Sequence, residues 1–118
     1  MEELISLLFL ARDIAHREHL LTDSFSRHMA LGEFYDAIVD HADSIAEAYM
    51  GSYGVLKPFK INSADTKIDI IKELENQVTW IDEHRYKICE KADTPIQNLI
   101  DGAVETYLST LYKLKRLK

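Results

Sequence analysis

The chain has 118 residues, of which 47% are hydrophobic and 29% are charged, and its formal net charge is −6. This length and balance predict a single globular domain over residues 1–118 and exclude a disordered or low-complexity chain. The lone Cys89 excludes an internal disulfide framework and a cysteine-based zinc module. The negative charge argues against nucleic-acid binding over the whole surface.

The first residues lack the sequence features of a targeting or membrane-spanning segment. The apolar run over residues 4–11 falls far short of the roughly twenty residues that cross a bilayer. Glu2 and Glu3 precede it, where a signal peptide carries positive charge. We therefore expect a cytoplasmic protein without a membrane partner.

Four segments repeat their apolar residues with a helical period, and none alternates in twos as a strand would. The predicted helices cover residues 2–21, 25–50, 63 or 65 to 91, and 95–117. Residues 22–24 supply turn and N-cap side chains before the second helix, and Asp93 or Thr94 can cap the fourth. These elements predict an all-α four-helix bundle. The link after the second helix is long enough to run along the bundle and make helices 2 and 3 parallel.

The third helix also has a predicted core face. Its candidate core residues are Ile68, Ile71, Leu74, Val78, Ile81 and Ile88. The spacing of threes and fours places them on one side of a helix.

A second, polar stripe runs along the second helix beside its apolar face. Asp43 and Glu47 lie one turn apart, so both carboxylates can face one cation. His28 shares their face but lies about 22 Å away along the axis, too far to bind the same ion within one chain. Two copies packed antiparallel across a two-fold axis would bring His28 of one to the carboxylates of the other. Asp36 would then lie near the axis as an accessory residue.

The first helix adds His16 near its end, and His19 follows one turn later as an accessory residue of the same site. In an antiparallel hairpin the end of helix 1 lies beside the start of helix 2, so His16 is expected to approach His28. Two imidazoles and two carboxylates suit Fe(II), Mn(II) or Zn(II). The simpler interpretation is that each histidine is a surface or packing residue, as expected for His19, His41 and His84, and that the acidic pair is an exposed helix face.

The order His16, His28, Asp43 and Glu47 resembles the intersubunit metal signature of the Dps-type mini-ferritins. Residues 25–28 resemble the segment that precedes the second histidine in that family. Residues 40–47, DHADSIAE, resemble its D-x-x-D-x-[IM]-A-E segment. The resemblance covers helices 1 and 2 well, helix 4 loosely through residues 93–94 and 111–114, and helix 3 by pattern only.

The resemblance implies a ferritin-like bundle in which His16 and His28 of one chain and Asp43 and Glu47 of its mate hold iron. It further implies Fe(II) oxidation with hydrogen peroxide, storage in a shell of twelve subunits and, in some members, DNA binding. Three features depart from the family. Gly32 stands where it has an aspartate, residues 51–62 leave no room for its short connecting helix, and a basic N-terminal tail is missing. A reduced member, such as those in bacteriophage genomes, fits these departures.

The last six residues contain a basic cluster that could bind phosphate. Its members are Lys113, Lys115, Arg116 and Lys118. The simpler interpretation is that these cations complement the negative end of the helix dipole. Hydrolase, nucleotide and thiol chemistry have no supporting motif.

Two functions from different classes therefore stand. The first is a Dps-like, metal-binding homo-oligomer, at least a two-fold dimer, with Fe as cofactor or alternatively Zn or Mn. The second is a non-catalytic helical oligomer on the same scaffold, acting as a protein- or DNA-interaction module. Gly32 favours the second because it removes one ligand from the first. A plain monomeric bundle is the simplest outcome.

Overall fold

A computed structural model describes all residues 1–118 and contains four α-helices and no strand. The helices are α1 (Glu2–Leu21), α2 (Phe25–Tyr53), α3 (Ile70–Ile88) and α4 (Thr94–Arg116). They form a bundle with overall dimensions of 44 × 26 × 21 Å, which confirms the predicted fold class. No helix is both long and apolar enough to span a membrane.

Local signals explain most helix ends. Ser24 accepts a hydrogen bond from the Arg27 amide and begins α2, and Asp93 does the same for the Ile96 amide and begins α4. Both agree with the sequence prediction. α2 ends at Gly54, whose φ of +109° is not helical. Residues with a Cβ rarely adopt that conformation, so a glycine suits this position. The predicted end at residue 50 is therefore wrong by one turn.

The predicted start of α3 is also wrong. Residues 63–69 are not helical, and α3 begins only after Asp69, whose carboxylate accepts from the amides of Ile71 and Lys72. We predicted a start at Ser63 or Asp65, whose side chains can cap a helix as well as that of Asp69 can, so residue type alone does not identify the cap.

Each helix packs against two others in a square arrangement. The packed pairs are α1 with α2, α2 with α4, α3 with α4, and α1 with α3, while the diagonal pairs do not meet. The hydroxyl of Tyr53, at the end of α2, reaches Cys89 after α3, so α2 and α3 run parallel as predicted. We call this end of the bundle the cysteine end, and the opposite end, at the α1–α2 turn, the histidine end.

The crossover segment, residues 54–69, contains no helix and is held against α1 by hydrogen bonds and aromatic packing. The Ser6 hydroxyl donates to the Lys60 carbonyl at 2.6 Å and accepts from the Asn62 amide at 3.0 Å. The rings of Phe9 and Phe59 pack with centroids 5.6 Å apart. These contacts carry the chain back to the histidine end, where α3 begins.

The core contains more polar groups than the apolar pattern predicts. On α3, Gln77 and Arg85 are buried, whereas the predicted core residues Val78 and Ile88 are only half-buried. Gln77 accepts from the fully buried Tyr107 hydroxyl at 2.7 Å, and the Arg85 guanidinium donates to Gln97 at 2.9 Å. Buried polar groups persist where they are hydrogen-bonded, and partners on another helix cannot be recognised from hydropathy.

Candidate metal face

Three histidines and a tyrosine form a cluster at the histidine end. The rings of His19 and His28 stack with centroids 3.7 Å apart, and the His16 ring stacks on Tyr35 at 4.3 Å. The Tyr35 ring also meets His19 edge-on at 5.4 Å. The four rings are half-buried on the surface shared by α1 and α2. We call them the ring cluster.

The structure places a different histidine next to His28 than the sequence predicts. We expected His16 to approach His28, but His19 stacks on it, and the nearest ring partner of His16 is Tyr35. His19 was expected to be accessory or simply exposed. The order of the residues could not distinguish these outcomes, because His16 and His19 lie on adjoining turns of one helix face.

Reciprocal hydrogen bonds hold the stacked pair. Nδ1 of His19 lies 2.6 Å from the His28 carbonyl oxygen, and Nδ1 of His28 lies 2.9 Å from the His19 carbonyl oxygen. A carbonyl only accepts, so both Nδ1 atoms carry the proton. In a neutral imidazole the lone pair then resides on Nε2, which is the arrangement that second-shell carbonyls impose on metal-binding histidines.

Gly32 makes room for this pair. A Cβ at position 32 would lie 3.1 Å from Cε1 and 3.3 Å from Nδ1 of His19, closer than ordinary packing allows. The His19 ring thus occupies the space above the position where the resembled family has an aspartate. Gly102 also faces a histidine, His41. A Cβ at position 102 would lie 3.5 Å from the nearest atom of that ring, which is an ordinary packing distance.

The predicted carboxylates lie elsewhere on α2. Asp43 and Glu47 are exposed, as is Asp36, and none of the three forms an ion pair within the chain. No three histidine, cysteine or acidic side chains of one chain come together in a way that could hold a metal ion. A site combining His28 with Asp43 therefore requires a second copy of the chain.

The predicted phosphate-binding cluster is partly neutralised. Lys113 pairs with Glu33 and Lys115 pairs with Glu75, each at 2.7 Å. Arg116 and Lys118 are exposed and form no ion pair. Internal partners thus reduce the charge that this end of α4 offers to phosphate.

A second polar cluster, at the cysteine end, has a structural explanation. The Tyr53 hydroxyl donates to Asp93 and lies 3.6 Å from Cys89 Sγ, which ties the end of α2 to the α3–α4 turn. Donation by Tyr53 lowers the pKa of Asp93 and raises that of Tyr53. Burial raises the pKa of the Cys89 thiol, which makes it a poor nucleophile. Its predicted role in packing is consistent with this burial.

The fold and the ring cluster together define an all-α bundle with an imidazole-bearing face and an acidic helix face beside it. Comparison with known protein families identifies the family of the chain. The model of DUF5856, a family of unknown function, matches residues 19–114, and the chain belongs to this family. No curated protein and no solved structure matches the chain.

Proposed function

We propose that this protein is a metal-binding homo-oligomer whose ion sites lie between two copies paired through α1 and α2. The observation that supports it most is the pair of hydrogen bonds from the stacked rings to main-chain carbonyls. The His19 carbonyl engages Nδ1 of His28, which leaves Nε2 of this half-buried ring as the nitrogen that can bind a metal ion. Histidine nitrogen and carboxylate oxygen form a suitable donor set for Fe(II), Mn(II) or Zn(II).

Charge on α2 supports a dependence of pairing on metal. Between His28 and Asp43 the exposed residues include Asp36 and Asp40, neither of which forms an ion pair within the chain. Antiparallel pairing would bring these like charges together near the two-fold axis, which opposes association. Bound cations would offset that repulsion, so the proposal implies a dimer that forms with divalent metal and dissociates with a chelator.

Iron oxidation is the chemistry that the resemblance adds. In that case Fe(II) is the substrate, and hydrogen peroxide or dioxygen accepts its electron. His28 and His16 of one chain would bind the ion, and Asp43 and Glu47 of the mate would neutralise its charge. Assembly beyond the dimer, up to a shell of twelve chains, belongs to the same proposal.

Mixing two inactive variants tests whether the site is shared between chains. His28→Ala and Asp43→Asn should each lose metal-dependent dimerisation and any Fe(II) oxidation. A heterodimer of the two keeps one intact histidine side facing one intact carboxylate side. An equimolar mixture should therefore regain metal binding, at no more than half the wild-type stoichiometry, measured by sedimentation with bound-metal analysis.

His84→Ala is the matched control. Its Nδ1 also donates to a carbonyl, that of Trp80 at 2.7 Å, and its ring also stacks on an aromatic, but it lies on α3. It should behave as wild type. If each single variant binds and oxidises metal as wild type does, the proposal is wrong. If the mixture regains nothing, the site is not shared.

A second candidate is a non-catalytic oligomer that acts as a protein-interaction module. Five large apolar side chains are exposed at the histidine end, with Phe25 78% and Leu20 68% exposed. The others are Leu21, Met29 and Leu117. Such clustering on one surface is typical of an interface, and we infer that its occupant is a second copy of this chain. Pairing of Lys113 and Lys115 with glutamates makes this candidate stronger than DNA binding.

Self-association in EDTA separates the two candidates. If the apolar end pairs copies, wild type should associate without metal, and Phe25→Ser should abolish that association. Val55→Ser is the matched control, because Val55 is equally exposed but lies in the crossover. Sedimentation as a monomer in EDTA at high protein concentration would contradict the second candidate. DNA binding would instead appear as retention that weakens steeply with salt.

A further inference from the structure

A cavity of about 350 Å³ lies on the flank of the bundle where α1, the crossover segment and α3 come together. Its lining comes from the start of α1, from residues within 59–62 of the crossover and from Trp80 of α3. The volume falls within the roughly 300–1,000 Å³ of small-molecule sites. No residue of the ring cluster lines it, nor does Asp43 or Glu47, so the cavity is separate from the metal face.

Hydrogen bonds hold the crossover wall of this cavity in place. The Ser6 hydroxyl contacts both the Lys60 carbonyl and the Asn62 amide. One turn earlier on α1, the Glu2 carboxylate accepts from the Lys57 amide at 2.9 Å. These contacts fix the distance between α1 and the crossover, so the cavity is a built part of the fold.

Two aromatic side chains and Leu7 form the apolar part of the lining. Trp80, the only tryptophan of the chain, is half-buried, and the His84 ring stacks on it with centroids 4.2 Å apart. Phe59 is held by its packing against Phe9. Aromatic rings attract cations, and the indole of tryptophan does so most strongly, so this wall suits an ammonium group.

Opposite charges line the same cavity without pairing. Glu3 and Lys60 are exposed, and neither forms an ion pair with the other or with any other residue. Glu2 is already engaged by the Lys57 amide and, at 3.7 Å, by the terminal ammonium. One free carboxylate and one free side-chain ammonium therefore remain at the cavity, beside the aromatic wall.

We propose that this cavity binds a small zwitterion that carries an ammonium group and a carboxylate, as betaines and free amino acids do. The ammonium lies between Trp80 and Glu3, and the carboxylate pairs with Lys60. A ligand with both charges satisfies both side chains at once, whereas a simple cation or anion leaves one charge of the cavity without a partner. The inference is independent of the proposed metal face, because the two share no residue.

Three related ligands test the two charges, on the full chain and in EDTA. Glycine betaine should bind saturably and shift the main-chain amide resonances of Ser6, Asn62 and Trp80 in NMR titrations. The anion of tert-butylacetic acid has carbon in place of the betaine nitrogen and so lacks the positive charge, and tetramethylammonium lacks the carboxylate. Each of these two should bind about fivefold more weakly, the scale of one charged contact at a partly exposed site. Glycine, titrated in the same way, distinguishes a free amino acid from a methylated one by which of the two binds more tightly.

Variants assign the charges to residues. Glu3→Gln, Lys60→Gln and Trp80→Leu should each weaken the binding of glycine betaine about fivefold. Lys60→Gln should not weaken the binding of tetramethylammonium, because that ion has no carboxylate. Glu83→Gln is the matched control, since Glu83 is an exposed carboxylate on α3 outside the cavity, and it should bind as wild type.

Three results overturn the inference. The first is the absence of saturable binding by both glycine betaine and glycine, and the second is equal binding of glycine betaine and the tert-butylacetate anion. The third is wild-type affinity in all three variants, which places the ligand elsewhere. The first two need only the unaltered protein, in which Trp80 fluorescence gives a second readout because no other tryptophan contributes.

Discussion

At the residue scale, the contact between His19 and Gly32 is the feature that was hardest to predict from the sequence. The lack of a side chain at position 32 indicated a missing ligand, and the structure shows that the space is filled by an imidazole. A glycine within a helix costs roughly 0.5–1 kcal/mol relative to alanine, and at position 32 the nearby His19 ring supplies a packing reason for it. That cost is a signal, but it does not identify which neighbour uses the space.

Alanine at the two histidine-facing glycines gives a direct comparison. Gly102→Ala should raise the free energy of unfolding by about 0.5–1 kcal/mol, because its Cβ would lie at ordinary packing distance from His41. Gly32→Ala should gain less or lose stability, because its Cβ crowds His19. Urea unfolding measures both changes.

A double-mutant cycle then shows whether the His19 ring causes the difference in unfolding free energy between Gly32→Ala and Gly102→Ala. In a His19→Ala background, Gly32→Ala should recover the gain seen at Gly102. An equal gain for Gly32→Ala and Gly102→Ala in the wild-type background would show that the His19 ring yields without cost.

At the element scale, prediction worked where a signal was local and failed where partners were distant. The bounds of α1 and the caps of α2 and α4 followed from residues within one turn. The start of α3 did not, because several residues could cap it. The buried face of α3 did not either, because Gln77 and Arg85 take their partners from α4.

The contact between Tyr53 and Asp93 joins three elements and should depend on pH. The folded-state pKa of Asp93 is lowered below 3.8, so the stabilisation is present above that pH and is lost as the pH falls through the folded value. Tyr53→Phe removes the hydroxyl. Its melting temperature should therefore lie below that of wild type at pH 7, and the gap should close in acid below pH 3.8.

Tyr86→Phe serves as the control for this titration. Tyr86 is exposed and its hydroxyl has no hydrogen-bond partner in the chain, so its removal should leave the melting curve unchanged at every pH. A gap between wild type and Tyr53→Phe that stays constant from pH 7 to pH 3 would mean that Asp93 does not contribute through its charge.

At the scale of the whole molecule, the order of helices and the parallel run of α2 and α3 could be predicted because the connecting segment is long. The candidate site could be predicted only in part. Helical spacing put His28, Asp43 and Glu47 on one face of one helix and required a second chain to join them. The stacking of His19 on His28 depends on main-chain carbonyls at a turn, and the identity of the residues does not encode their direction.

The molecule consists of two antiparallel hairpins, α1 with α2 and α3 with α4. Each hairpin is closed by hydrogen bonds at its own turn, and the two turns lie at opposite ends of the bundle. Only the crossover joins them covalently. A backbone break between Asp65 and Thr66, both exposed, leaves each hairpin with its turn and most of the shared interface. Fragments 1–65 and 66–118, co-expressed as separate chains, should therefore complement one another and copurify as a helical heterodimer, with a melting temperature that rises with concentration. Such a split protein could report the proximity of two fused partners.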